Sequence, residues 1–77
     1  MNKAKRKRLA GIQDKIIELQ GLLEEIIDEE QEALDNMPEN LRTSQHCRVM
    51  DEATWALVDA SNNLGFAADN IEEVITT

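Results

Sequence analysis

Six carboxylates crowd one short stretch of this chain: Glu24, Glu25, Asp28, Glu29, Glu30 and Glu32. In a helix, Glu24 with Asp28 and Glu25 with Glu29 stand one turn apart, a spacing at which two carboxylates could share Mg²⁺ for nucleotide hydrolysis. These acids fall mainly opposite the apolar residues of the same segment, however, whereas a metal site in a helical bundle is built from inward-pointing carboxylates. Only Glu30 lies on the apolar side. The run therefore reads as a solvated face, one also suited to filling a basic groove on a partner protein. His46 and Cys47 are neighbours, and neighbours on a helix point about 100° apart, so they do not form a nucleophile–base pair. The chain has no second histidine to complete a zinc site. No nucleophile, base and orienting group converge, and no glycine-rich phosphate loop is present. The expectation is a protein without catalytic residues, metal ligands or cofactor, with Mg²⁺-dependent nucleotide hydrolysis as the one enzyme class to test.

A second constellation is aromatic. Trp55 and Phe66 are the only aromatic residues, and at 100° per residue they share one face of a helix with Arg48 and Asn62, away from that helix's apolar stripe. Two uses compete. Either this face forms the contact between two copies of the chain, or it is a ligand site in which the aromatics stack on a planar ring, Asn62 reads its edge and Arg48 holds an anionic group, with Arg42 helping from a nearby turn.

These side chains need elements to carry them, and the apolar spacing supplies two. Leu9, Ile12, Ile16, Leu19, Leu23, Ile26, Ala33 and Met37 recur in a 3-4 rhythm, with Glu30 interrupting. Met50, Leu57, Leu64 and Ile71 repeat every seven residues, followed three residues later by Ala53, Ala60, Ala67 and Val74. Both are helical stripes. Pro38 lacks an amide hydrogen and disfavours the helical conformation at Met37, so the first helix ends by Asn36. The spacing predicts helix one over about 3–35, a turn over 36–44 capped by Thr43 or Ser44, and helix two over about 45–75. Folding at residue 40 sets Leu9 opposite Ile71, Ile16 opposite Leu64 and Leu23 opposite Leu57, with Met37 and Leu41 closing the turn end. The fold class is all-α, an antiparallel helical hairpin in a single domain. Leu22 and Ala33 lie on one side of the first stripe and Leu9, Ile27 and Leu34 on the other, too wide an arc for one neighbouring helix. Two hairpins are therefore expected to pair as a dimeric four-helix bundle.

Charge and composition narrow the partners. A net charge of −8 argues against general affinity for nucleic-acid backbone. It averages an asymmetric chain: Lys3, Lys5, Arg6, Lys7 and Arg8 open it, while Glu24 to Glu39 holds eight acids and no base. The basic start is expected to rest beside Asp69, Glu72, Glu73 and the terminal carboxylate of the antiparallel helix. A lone cysteine gives no internal disulfide. No apolar run approaches the ~20 residues of a membrane span, and Asp14, Lys15 and Glu18 break any secretory core, so a cytoplasmic location is expected.

The basic start from Lys3 to Leu9, the run from Glu29 to Leu41 and the pattern Met50-Asp51-Glu52-Ala53 leading to Asn70-Ile71-Glu72-Glu73 resemble short acidic reading frames of bacteriophages and bacterial mobile elements. Trp55 and His46-Cys47 stand outside that pattern, and no residue role is carried over by position. The resemblance implies a phage-encoded helical hairpin that counters a host defence from the host cytoplasm. The leading expectation is that it sequesters a nucleotide-derived immune signal; the alternative is a protein inhibitor or adapter that uses the acidic, DNA-mimic-like helix face. The paired carboxylates are similar, in composition alone, to those of all-helical pyrophosphatases of the MazG type.

Overall fold

The computed structural model describes residues 1–77. Helix α1 spans Lys3–Asp35, a single 3₁₀ turn spans Glu39–Leu41, and α2 spans Gln45–Ile75. The two helices pack antiparallel as a hairpin, within a backbone envelope of 59 × 14 × 13 Å.

Local chemistry explains each boundary. The Asn2 side chain accepts from the Lys5 amide at 2.8 Å, which satisfies one orphan donor of α1. At the other end, the Asn36 amide donates to the Glu32 carbonyl and the Met37 amide to that of Leu34, after which Pro38 stops the ladder. The last turn of α1 contains no basic residue. Arg42 supplies one from the turn, donating to the carbonyl oxygens of Asp35 at 3.0 Å and Met37 at 3.3 Å. A cation so placed opposes the negative end of the helix dipole. Ser44, rather than Thr43, caps α2: its hydroxyl accepts from the Cys47 amide at 3.2 Å.

Two glutamines record the register. Gln13 Nε2 donates to the Ala68 carbonyl at 3.2 Å and to Glu72 Oε2 at 2.7 Å, and Gln20 Nε2 donates to the Ser61 carbonyl at 3.0 Å. Residue numbers across both carbonyl contacts add to 81 (13 + 68, 20 + 61), one residue from a fold at 40. These carbonyls already serve the helix ladder; each glutamine uses the second lone pair. The basic start reaches the far end of the chain through Arg6, whose guanidinium donates to the Thr77 oxygen at 2.9 Å, whereas Glu72 accepts from Gln13.

The facing residues follow a heptad. On α1, Gln13, Gln20, Ile27 and Leu34 take position a and Leu9, Ile16, Leu23 and Glu30 position d, all half-buried. On α2, position a holds Cys47, Thr54, Ser61, Ala68 and Ile75, and position d holds Met50, Leu57, Leu64 and Ile71. The sequence pointed to Ala53, Ala60, Ala67 and Val74 as the small rungs of this ladder. The structure instead seats Thr54, Ser61 and Ala68 there, one residue later, and these are the three buried residues of the chain. The shift has a polar cause that an apolar pattern does not reveal: Gln13 and Gln20 lie over this side of α2 to reach its carbonyls, and only small side chains let them approach. Gly65 belongs to the same contact, since a Cβ there would meet Gln20 Nε2 at 2.9 Å. Buried Thr54 is satisfied within its own helix, its hydroxyl donating to the Met50 carbonyl at 2.9 Å. At the turn end Met37 is half-buried as expected, but Leu41 is exposed. No helix is long and apolar enough to cross a membrane.

Candidate functional site

Two antiparallel helices that share an a/d seam leave two flanks, position e beside e and position g beside g. The glutamines identify the first. Gln13 and Gln20 reach toward Glu72 and Gly65, both at e of α2, and with half-buried Val58 they cover part of that flank, leaving Ile17 at e of α1 51% exposed. The opposite flank begins at the two d ladders and continues to g, one residue before each a. On α1 position g holds Ile12, Leu19, Ile26 and Ala33; on α2 it holds Ala53, Ala60, Ala67 and Val74. Large side chains line one edge and small ones the other. Ile12, Leu19, Ile26 and Val74 are 48%, 53%, 46% and 39% exposed, and Leu22 extends the patch. The alanines displaced from the seam are thus not idle: they floor one half of a continuous uncovered apolar surface.

A shallow dent lies at the open end of this surface, lined by Met1, Lys5, Arg8, Leu9 and Ile12. Toward the turn, Glu30 occupies a d position, so that a carboxylate and a pair of cations interrupt the apolar flank at opposite ends.

The residues expected to bind a ligand are arranged differently. Trp55 and Phe66 are 63% and 64% exposed on the outer face of α2, turned away from the d/g flank. Eleven residues separate them, about 16 Å along a helix at 1.5 Å per residue. One planar ring cannot be gripped between them. Asn62 is exposed between the two, about 10 Å from Trp55 along the axis by the same measure. Arg48 and Arg42 do come together, on a dent they share with Asp35, Asp51 and Cys47. Two carboxylates there compete with any anionic ligand, and Arg42 is already committed to the carbonyls that end α1. The five residues form two separate groups, a cationic one at the turn and an aromatic line on α2.

Among the acids, Glu24, Glu25, Asp28, Glu29 and Glu32 are exposed, and only Glu30 is half-buried. No group of three or more His, Cys, Asp or Glu side chains is placed to hold a metal ion. His46 is exposed and Cys47 half-buried on the a ladder. Gln13 and Gln20 were not singled out from sequence, although their seven-residue spacing on the edge of an apolar stripe carries that information. The chain matches no family model, no curated protein and no solved structure.

Proposed function

We propose that this protein is a non-enzymatic binding protein that assembles as a homodimeric four-helix bundle and presents its acidic outer face to a basic protein partner. The observation that carries the assembly is the uncovered d/g flank. With Ala68 its only buried apolar residue, the hairpin alone removes little apolar surface from water, and a second layer of helices is the usual remedy for so thin a core. Pairing on the flank leaves the exposed acids of α1 on the outside, where they suit a basic groove. The resemblance to short frames of mobile elements suggests the setting: stoichiometric blockade of a host defence component.

A nucleotide-derived signal is the second reading, favoured by the exposure of Trp55 and by Arg48 on the same line of α2. The separation of the aromatics ranks it below protein binding. Mg²⁺-dependent nucleotide hydrolysis ranks third, with no cluster of acids to support it.

Sedimentation velocity from 1 to 100 µM tests the assembly. The expected mass is twice that of the 8.7 kDa chain, and Leu19→Glu with Ile26→Glu should abolish pairing. A wild-type monomer throughout would overturn the reading. Titration with basic proteins and with cyclic dinucleotides at 50 and 300 mM salt separates the two partner classes: a protein held by the acidic face dissociates as salt rises, whereas a stacked nucleotide quenches Trp55 at both.

A further inference from the structure

Resting on the dimer proposed above, we infer that the occupant of the d/g flank is a second copy of this chain laid head to tail, its turn at the opposite end, with Glu30 of each copy paired to the partner's Arg8. Full overlap would set the whole 59 by 14 Å face against its copy, with the apolar stretch from Leu9 to Ile26, about 26 Å at 1.5 Å per residue, at its centre.

Charge decides the orientation. The open half, residues 1–20 and 61–77, holds six bases and five acids, and the turn half, residues 21–60, holds eleven acids and two bases, Arg42 and Arg48. Placing both turns together would set two strongly acidic halves around one end of the bundle and two nearly neutral ones around the other. Reversing one copy alternates them, which avoids like-charge repulsion within a Debye length, ~8 Å at physiological ionic strength.

The flank adds a register. Helix α1 runs from Lys3 to Asp35, so a two-fold axis that overlaps the two copies in full passes by its central residue, Leu19. Residue i then meets about 38 − i of the partner: Ile12 meets the partner's Ile26, and Glu30 meets the partner's Arg8. Glu30 is a half-buried carboxylate in an apolar ladder, facing Met50 in its own hairpin. Arg8, with Lys5, rims the apolar dent at the other end of the same flank, whereas the hairpin's internal guanidinium contacts are made by Arg6 and Arg42. A head-to-tail partner brings the unaccompanied anion and the unaccompanied cation together twice, once at each end.

Two measurements test this. In Cys47→Ser, Asn40→Cys spin-labelled at the turn, dipolar spectroscopy should return a label separation near the 59 Å hairpin length; a separation under about 25 Å means that the turns lie together and overturns the orientation while leaving the dimer intact. Glu30→Lys and Arg8→Glu should each weaken dimerisation about tenfold, and the double variant should recover to within about threefold of wild type, as expected for directly paired charges. Additive losses in the double variant overturn the pairing. A monomer at all concentrations removes both this inference and the dimer beneath it, which distinguishes that failure from a wrong orientation.

Discussion

Trp55 and Leu57 are two residues apart and have opposite fates. Trp55 is mostly exposed on the outer face, so Trp55→Ala should leave the dimer intact and shift stability by no more than about 0.5 kcal/mol, the usual range for a surface site. Leu57 stands in the seam at the edge of the open flank, and Leu57→Ala should cost about 2–3 kcal/mol. Thermal melts followed by circular dichroism at matched concentrations check both; a large loss for Trp55→Ala would place it in the subunit contact. Ser44→Ala should cost about 1 kcal/mol, because one amide of the first turn of α2 loses its acceptor, while Ser44→Asp should retain the cap. Arg42→Ala removes two contacts to the end of α1, and amide exchange should accelerate around residues 36–44 with the body of both helices unchanged.

At the scale of the helices, three glycines separate propensity from packing. Gly11 and Gly21 face open space, with nothing within 4 Å of an added Cβ. Replacing either by alanine should stabilise α1 by about 1 kcal/mol, read as a higher melting temperature with no change in assembly. Gly65→Ala gains the same propensity but displaces the Gln20 amide from the Ser61 carbonyl, a hydrogen bond worth about 0.5–1.5 kcal/mol. The net effect should be near zero. If Gln20→Ala is made first, Gly65→Ala should become stabilising by about 1 kcal/mol, since the obstacle has gone. An unchanged Gly65→Ala effect in that background would mean that the glutamine contact does not govern the close approach.

For the whole molecule, the proposed dimer would couple assembly to folding. If the flank is covered only in the dimer, the melting temperature should rise with protein concentration, because binding of a second copy stabilises the folded state by mass action. The Leu19→Glu, Ile26→Glu variant should melt lower and independently of concentration. A concentration-independent wild type would mean that the hairpin is stable with its flank in water.

The periodicities of the sequence were sufficient for the two helices, their boundaries and the turn, because apolar recurrence, a proline and a capping serine are local features that act over a few residues. The register was legible for the same reason: a short turn leaves two stripes only one way to meet. Which rungs face inward was not, because Thr54, Ser61 and Ala68 replace the expected alanines through Gln13 and Gln20, and a polar side chain reaching across to a carbonyl leaves no mark on an apolar pattern. The candidate ligand site divides for a related reason. A wheel of 100° steps ranks Arg48, Trp55, Asn62 and Phe66 by direction but discards distance along the axis, and only the built helix sets about 16 Å between the aromatics. The wide apolar arc of α1 was visible in sequence, but that it joins the alanine edge of α2 into one uncovered surface was decided by the antiparallel packing, which brings position g of both helices to the same side.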